Sequence, residues 1–221
     1  MSGYDPILFD LDGTLTDSGE GIRNSVAYAL KRYGVEAEDL SVLNCFIGPP
    51  LHESFEKFLG LPAGEGQKAV EIYREYYRDK GIYENLVYPG IPELLAELTA
   101  RGKTLAVASS KPEVFVRRVL NHFDLNKFFA VVAGADLEGA HCGKAEIIGV
   151  ALERLDMPQG RPLMVGDREH DILGAKAVGL PAAGVLFGYG SRAELEAAGA
   201  DYIARTAAGL LPIIDPDWQT E

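Results

Sequence analysis

The sequence predicts an α/β protein: a parallel sheet flanked by helices, with an all-helical domain inserted after the first strand. Short apolar runs alternate with segments of helical spacing over most of the chain, as in strand–helix–strand units. The alternation stops between residues 17 and 88, where the patterns are helical and no run is a convincing strand. We therefore predict an α/β catalytic core of residues 1–16 and 89–221 and a helical cap domain of residues 17–88.

Five short apolar runs are the predicted strands, at residues 6–9, 104–108, 130–133, 162–165 and 182–186. The core helices are predicted at residues 91–101, 113–122, 145–155, 172–178 and 192–198. Gly102 and Gly179 lie where a helix is expected to end. Because parallel strands need crossover connections, we expect a Rossmann-like sheet with right-handed crossovers.

The inserted segment contains two helical stripes and a rigid turn. Asp17 and Glu20 have the spacing of a capping box, ahead of a stripe that ends at Gly34. A second stripe, rich in tyrosine, ends at Gly81, and residues 46–50 form a Gly-Pro-Pro turn between the two. A helical domain tethered after the first strand can close over the end of the sheet and exclude water, so we expect it to act as a cap.

Composition excludes several classes of function. The chain of 221 residues has a net charge of −12 and no basic cluster, so neither nucleic acid nor an anionic membrane is an expected partner. No apolar run approaches the roughly 20 residues of a membrane span, and the N-terminus lacks the pattern of a secretory signal, so we expect a cytoplasmic protein. Cys45 and Cys142 lack metal-ligand spacing and are predicted to be reduced packing residues.

The strongest chemical signal is a pair of aspartates at the end of the first strand. The apolar run ends in Asp10-x-Asp12-Gly13-Thr14, at the rim where open α/β sheets bind ligands. Two like charges about 4 Å apart cost roughly 4 kcal/mol at an effective dielectric of about 20, unless a cation or a proton compensates them. We favour a hard divalent metal and an aspartate nucleophile, with an ordinary Asp-Gly turn as the alternative.

Two further residues, Ser109 and Lys144, are candidates for the same site as this pair. Ser109 follows the strand of residues 104–108, where a hydroxyl can bind anion oxygens, although serine is also a routine helix cap. We favour Ser109 as the ligand-facing hydroxyl and Ser110 as the local or capping one. Lys144 opens a helix although the helix dipole disfavours a cation there, so a phosphoryl oxygen or the nucleophile is a candidate partner. An ordinary surface lysine is the alternative.

Another apolar strand leads into Gly166 and Asp167, and Asp171 follows four residues later. If a helix begins near Asp167, the two carboxylates lie on the same face about one turn apart. One can bind a metal directly while the other orients a neighbouring group. His170 lies between them and is expected to face solvent or to support the site, because Mg²⁺ prefers oxygen ligands.

Taken in order, these positions resemble the four motifs of the haloacid dehalogenase superfamily: Asp10-x-Asp12-Gly13-Thr14, Ser109, Lys144 and Gly166-Asp167-x-x-x-Asp171. The resemblance covers nearly the whole chain, including the helical insert between the first two motifs. Residues 10–18 and 109–112 are similar to the phosphoglycolate phosphatase-like branch. One departure is Ala145, because many relatives have proline after the lysine of the third motif.

The resemblance implies a Mg²⁺-dependent phosphatase that forms an aspartyl-phosphate intermediate. Asp10 would be the nucleophile and Asp12 the general acid and base. The phosphate would be bound by Asp10, Ser109, Lys144 and the amides of Leu11 and Asp12. The metal would be held by the Asp10 carboxylate, the Asp12 main-chain carbonyl and Asp167, with Asp171 supporting that shell.

Several alternatives are compared with this interpretation. A dehalogenase is disfavoured because Asp12 has no counterpart in that branch, and a departing halide needs no general acid. A phosphonatase is disfavoured because no Schiff-base lysine is identifiable in the cap, and a non-catalytic binding protein because every proposed catalytic position is filled. A β-phosphoglucomutase-like sugar phosphomutase stays open because it shares the aspartyl-phosphate step.

The substrate is expected to be a small-molecule phosphate monoester selected by the cap. Phosphoglycolate would need cations for its carboxylate, and the cap offers Arg23, Lys57, Arg74 and Arg78. A nucleoside monophosphate would need an apolar or aromatic surface, such as Phe46 and several tyrosines, which makes a 5'-nucleotidase the second candidate. Monomer and homodimer are both compatible with the sequence.

Overall fold

The computed structural model describes residues 3–137, 143–156 and 160–218. The chain divides into two compact units. One consists of Met1–Leu15 and Val87–Glu221, and the other of Thr16–Leu86. Within the described residues, no helix has both the length and the apolar character needed to cross a membrane.

Eight strands are present in the described part of the chain, and six of them form one parallel sheet. The strands are β1 (Ile7–Phe9), β2 (Thr16–Asp17), β3 (Leu86–Val87), β4 (Leu105–Pro112), β5 (Val131–Ala135), β6 (Leu163–Gly166), β7 (Ala182–Val185) and β8 (Tyr202–Ala204). The large sheet has the order β5-β4-β1-β6-β7-β8. The predicted parallel α/β fold is therefore confirmed.

β1 lies in the middle of the sheet, between β4 and β6. Leu8 pairs in parallel with Ala106 of β4 on one side and with Met164 of β6 on the other. All three β1 side chains are fully buried, which explains the uninterrupted apolar run in the sequence. The carboxyl ends of three neighbouring strands therefore lie side by side, and this is the edge at which the candidate residues were expected.

Nine α-helices lie within the described residues: α1 (Gly19–Arg32), α2 (Leu51–Leu59), α3 (Gly66–Tyr76), α4 (Ile91–Ala100), α5 (Glu113–His122), α6 (Lys144–Leu155), α7 (Glu169–Ala177), α8 (Arg192–Ala197) and α9 (Leu211–Ile214). Short 3₁₀ turns occupy Leu40–Phe46, Asn126–Phe128 and Ala208–Leu210, and a π turn occupies Tyr77–Gly81. Gly102 and Gly179 follow α4 and α7 with positive φ, as expected of residues that end a helix.

The unit Thr16–Leu86 is mostly helical, but two details differ from the prediction. β2 and β3 pair with each other as two-residue strands, which are too short to leave a periodic signal. The capping box is wrong, because Ser18 is the N-cap of α1 and the Asp17 carboxylate accepts a 3.3 Å hydrogen bond from the Gly19 N–H. Asp17 thus closes a local turn one residue before the helix.

The helices of this unit pack through aromatic side chains and one close backbone approach. Phe46 packs against Phe55 with ring centroids 4.8 Å apart, and Tyr73 stacks on Tyr77 at 5.3 Å. At Gly21 of α1, an added Cβ would lie 1.8 Å from the carbonyl oxygen of Gly81, so only glycine lets α1 approach the π turn this closely.

For Cys45, the cysteine prediction is confirmed in one respect and wrong in the other, because the residue is a free thiol as expected but not a packing residue. Cys45 is exposed rather than packed, and its thiol lies 3.4 Å from the carbonyl oxygen of Val42. Its neighbour Phe46 takes the buried position, since a short 3₁₀ turn presents successive residues to different sides. Cys142 lies outside the described residues.

Candidate active site

Asp10 is the first residue after β1. Its backbone N–H donates to the carbonyl of Val165 at 2.9 Å, which extends the pairing between β1 and β6 to the site. Its carboxylate is almost fully buried, and Oδ1 lies 2.9 Å from Nζ of Lys144. A buried carboxylate paired with a single ammonium is well suited to act as a nucleophile whose charge is held in place.

A tight turn follows Asp10. The carbonyl of the buried Leu11 accepts hydrogen bonds from the N–H groups of Thr14 and Leu15, at 3.2 and 2.9 Å. Gly13 has φ +87°, and a Cβ on it would lie 2.2 Å from Oδ2 of Asp167. Glycine is therefore required for two reasons, the backbone conformation and the close approach of Asp167. The Asp-Gly turn and the carboxylate site are parts of one structure.

Asp12 lies on the more open side of the turn. Both of its carboxylate oxygens lie 2.5 Å from Nζ of Lys111, and the side chains of Asp12 and Lys111 are 14% and 7% exposed. A second lysine, Lys111, therefore lies in the site beside Lys144. Lys111 was not predicted as a site residue, because the strand was expected to end at residue 108, before it. Strand alternation gives no signal for Lys111 either, because the observed strand shifts register between Ser109 and Pro112.

Ser109 is buried at the carboxyl end of β4, and its Oγ accepts a 3.4 Å hydrogen bond from the Lys111 N–H. The hydroxyl proton of Ser109 remains available to a ligand. The alternative role of Ser110 as helix cap is wrong, because Pro112 is the N-cap of α5. β4 also continues to Pro112, past a shift in register between Ser109 and Pro112, rather than ending at residue 108.

Lys144 is the first residue of α6, and the surface alternative for it is wrong. Its Nζ lies 2.9 Å from Oδ1 of Asp10, 2.8 Å from Oδ1 of Asp171 and 3.1 Å from the carbonyl oxygen of Ala108. Burial lowers the pKa of the ammonium, but Asp10 and Asp171 outweigh burial and raise the pKa above its ordinary value. Lys144 is therefore a fixed positive charge in the site.

Asp167 follows β6 and is completely buried. Its Oδ1 accepts a 3.3 Å hydrogen bond from the Thr14 hydroxyl, and its Oδ2 accepts a 2.8 Å hydrogen bond from the Tyr189 N–H. At Gly188 an added Cβ would lie 2.4 Å from Cβ of Asp167, so the chain after β7 packs directly on this aspartate. Both oxygens of Asp167 are thus oriented by groups from elsewhere in the core.

Asp171 lies in the first turn of α7, but not for the predicted reason. The helix begins at Glu169 rather than near Asp167 or at residue 172, and Arg168 is its N-cap. Asp171 is the third helical residue, and its Oδ2 accepts a 3.0 Å hydrogen bond from the Arg168 N–H. The other oxygen faces Lys144, so Asp171 caps its own helix and anchors the lysine at once.

Asp10, Asp167 and Asp171 form a buried acidic cluster. One carboxylate oxygen from each lies within 4.8 Å of the other two. Three carboxylates and one buried ammonium leave an excess of negative charge in a site shielded from water. Because all the cluster's ligand atoms are oxygens, the residues fit a hard divalent cation such as Mg²⁺.

The pKa values of two cluster residues reflect this excess charge. Burial raises the pKa of Asp10 to about 6, an effect that Lys144 opposes and Asp171 reinforces. Burial, and then Asp171 and Asp10, raise the pKa of Asp167 well above its ordinary range, against the Tyr189 N–H. Each of these carboxylates would ionise more readily if a cation entered the cluster.

The structure brings all the predicted site residues of the core to one edge of the sheet. Asp10, Leu11 and Asp12 follow β1, Ser109 is in β4, Asp167 follows β6, and Lys144 and Asp171 come from the first turns of α6 and α7. His170 is partly exposed beside this group and is not among the clustered carboxylates. The residues that the sequence analysis missed are those that orient the aspartates, namely Thr14, Lys111, Tyr189 and Gly188.

Comparisons with known proteins agree with this arrangement. Residues 7–185 match the model of the family described as haloacid dehalogenase-like hydrolase. A protein from Pseudomonas aeruginosa named 5'-nucleotidase is 44% identical over 212 residues, which are 96% of each chain. Tyrosine-protein kinase PtkA of Mycobacterium tuberculosis is 40% identical over 202 residues, or 91% of this chain and 66% of that protein.

The fold is also similar to that of a solved structure. A predicted phosphatase from Clostridium acetobutylicum superimposes with a TM-score of 0.92 at 44% identity. The match covers 95% of this chain and 97% of the other. It extends over both compact units, so the helical segment is part of the similarity as well as the sheet.

Proposed function

We propose that the chain, which belongs to the haloacid dehalogenase-like hydrolases and is a phosphatase, hydrolyses a small phosphate monoester through a phosphoaspartate on Asp10. The observation that carries this proposal is the pairing of the buried Asp10 with Lys144 inside a cluster of three carboxylates. Such a cluster is costly to bury and is therefore expected to serve chemistry.

In the first half of the reaction, a carboxylate oxygen of Asp10 forms a bond to phosphorus as the bond from phosphorus to the ester oxygen breaks. Asp12 gives its proton to the ester oxygen, so the leaving group departs as an alcohol. In the second half, Asp12 takes a proton from a water molecule that attacks phosphorus. The bond from phosphorus to Asp10 then breaks and inorganic phosphate leaves.

The remaining residues bind and orient the phosphoryl group. Ser109 offers its hydroxyl proton, Lys144 offers a fixed ammonium beside the nucleophile, and the amides of Leu11 and Asp12 are the proposed backbone donors. Local positive charge of this kind lets a protein of net charge −12 bind an anionic substrate.

The proposed cofactor is Mg²⁺, held by the Asp10 carboxylate, the main-chain carbonyl of Asp12 and Asp167. When bound, it would neutralise the acidic cluster and stabilise the charge on the transferring phosphoryl oxygens. We propose a supporting role for Asp171, because its two oxygens already face Lys144 and the Arg168 N–H.

For the substrate, we propose a nucleoside 5'-monophosphate in first place and phosphoglycolate in second. The relative named 5'-nucleotidase supports the first because it matches 96% of this chain. The similarity of residues 10–18 and 109–112 to the phosphoglycolate phosphatase-like branch supports the second. The alternative is that the phosphoaspartate transfers its phosphoryl group to the hydroxyl of an acceptor molecule instead of to water. The phosphomutase alternative requires such a transfer, and the relative named a kinase is consistent with it.

The test is phosphate release with and without Mg²⁺ from nucleoside monophosphates, phosphoglycolate, sugar phosphates and an aryl phosphate. We expect metal-dependent release that Asp10→Asn abolishes, because the amide cannot form the phosphoaspartate. Full activity of Asp10→Asn would overturn the mechanism. If phosphate disappears from the substrate and appears on an added alcohol or sugar rather than in water, the enzyme is a phosphotransferase.

A further inference from the structure

Lys111 is a buried lysine for which the reaction scheme above has no use. Its side chain is 7% exposed, and its Nζ lies 2.5 Å from both oxygens of Asp12. An ammonium removed from water is tolerated only when it is paired, and here the Asp12 carboxylate contacts it with both oxygens. Removing either charge would leave the other in a poorly solvated place.

The backbone that carries Lys111 is held firmly. The Lys111 N–H donates to Oγ of Ser109 at 3.4 Å, and Pro112 begins the connection to α5. On the other side, a Cβ on Gly134 of β5 would lie 2.7 Å from the carbonyl oxygen of Lys111. Because β4 is adjacent to β1 in the sheet, the lysine reaches from a fixed base across to the turn after β1.

The two lysines of the site have separate partners. Lys144 contacts the carboxylates of Asp10 and Asp171, whereas Lys111 contacts that of Asp12. The proposed nucleophile and the proposed acid–base group are therefore each oriented by a cation of their own. An acid–base group must be held within hydrogen-bond reach of the ester oxygen, so its orientation matters for the rate.

We propose that Lys111 is a positioning residue that fixes the Asp12 carboxyl for proton transfer to the leaving group. The inference rests on the proposed function, because it assumes that Asp12 is the acid–base group. One oxygen of Asp12 keeps its hydrogen bond from the ammonium while the other carries the proton to the ester oxygen. Without Lys111, the carboxyl rotates freely about its last bond and spends less time in the productive orientation.

The matched test compares Lys111→Met with Lys127→Met. Lys127 pairs with Asp124 at 2.5 Å, the same distance, but both of those side chains are exposed. The measurement is kcat/KM for an alkyl phosphate and for an activated aryl phosphate, because this ratio reports the steps through departure of the leaving group.

We expect Lys111→Met to lower kcat/KM for the alkyl phosphate by about tenfold or more, because positioning of Asp12 supplies a part of the roughly 10²–10⁴-fold contribution typical of acid–base catalysis. The aryl phosphate, which needs little protonation, should change by less than about threefold, and Lys127→Met should match the wild type on both. Equal losses on both substrates, or no loss on either, would overturn the role in leaving-group protonation.

A second readout separates this inference from the proposed function. The side-chain carboxyl ¹³C signal of Asp12, assigned by its loss in Asp12→Asn, is recorded in protein free of substrate. We expect the signal to move in Lys111→Met and to stay in place in Lys127→Met. An unchanged signal in Lys111→Met overturns the inference. Absence of phosphatase activity in the wild type instead overturns the proposed function and leaves the contact to be judged by this signal.

Discussion

At the scale of single residues, the charged groups of the site are tolerated in buried positions only because each is paired with a neighbouring group. Asp10, Asp167 and Lys144 are all nearly inaccessible to water, and each depends on a neighbour from a different part of the chain. Single substitutions here are expected to alter chemistry and stability together. Asp12 follows the same rule, because its carboxylate contacts the buried Lys111 ammonium.

The role of Asp12 is therefore tested by comparing substrates within one variant, because a loss of stability affects all substrates alike. We expect Asp12→Ala to lower kcat/KM most for alkyl phosphates and least for activated aryl phosphates, by a factor between them of about 10² or more. The physical reason is that only a basic alkoxide needs a proton in order to leave. Steady-state kinetics on a series of leaving groups gives the answer, and a uniform loss across the series contradicts the assignment.

At the scale of elements, α6 and α7 are packed closely. The aliphatic part of the Lys144 side chain fits between them only because residue 174 is a glycine. A Cβ on Gly174 of α7 would lie 2.7 Å from Cγ and 2.8 Å from Cβ of Lys144, and 3.2 Å from the Ala145 N. These atoms belong to the base of the side chain and to the backbone, so they cannot turn aside. At Gly149, in α6 itself, no atom of the described residues outside the backbone of its own helix lies within 4 Å of the corresponding position.

This difference makes a matched pair of variants. We expect Gly174→Ala to displace Lys144 and to lower kcat/KM by about tenfold or more, because a small misplacement of a group that orients the reaction is costly. Overpacking of about 1–3 kcal/mol should outweigh the helix-propensity gain of about 1 kcal/mol, so its free energy of unfolding falls.

The control Gly149→Ala gains helix propensity without a clash. Its free energy of unfolding in urea should therefore rise by up to about 1 kcal/mol, and its kcat/KM should equal that of the wild type. If both variants keep full activity, the close approach at Gly174 does not position Lys144.

Elements with a strong periodic signal could be predicted from the sequence, and short or irregular ones could not. The helix at Glu113–His122 was predicted at both ends. β8 was missed because it is a three-residue edge strand with two half-buried side chains, which leaves no apolar run. α9 was missed because its four residues make barely one helical turn, which is too short for a helical period to show.

The same contrast applies to the site. Its charged residues follow buried strands and helix starts, which have a recognisable pattern. Apart from Lys111, the groups that orient them and were missed are a hydroxyl, a backbone N–H and a glycine, which have no chemical signature of their own. Thr14 and the Tyr189 N–H, for example, become meaningful only when the turn after β1 and the chain after β7 meet at Asp167.

At the scale of the whole molecule, the acidic cluster links stability to pH. The rise in the pKa of Asp10 from 3.8 to about 6 corresponds to about 3 kcal/mol. Below about pH 4 the carboxyl is protonated in the folded and unfolded chains, and this contribution is fully present. Between about pH 4 and 6 the folded protein keeps a proton that the unfolded chain loses, so stability falls as pH rises.

A divalent cation should reverse that loss. We expect saturating Mg²⁺ to raise the melting temperature more at pH 7.5 than at pH 5, because a protonated cluster competes with the metal. Thermal unfolding with Mg²⁺ and with chelator at the two pH values measures the difference, and Ca²⁺ shows whether the site is selective. An equal or larger rise at pH 5 would contradict a metal held by the acidic cluster.

The central position of β1 has a consequence for synthesis. β1 is made before both of the strands to which it hydrogen-bonds, β4 and β6, which lie much later in the chain. Until then its apolar side chains and its two unpaired edges are open to other chains, which favours aggregation of unfinished protein. Such non-local pairing is also slow to form. Because Asp10 follows β1 directly, recovery of activity after denaturation is expected to require the pairing of β1 with both of these strands.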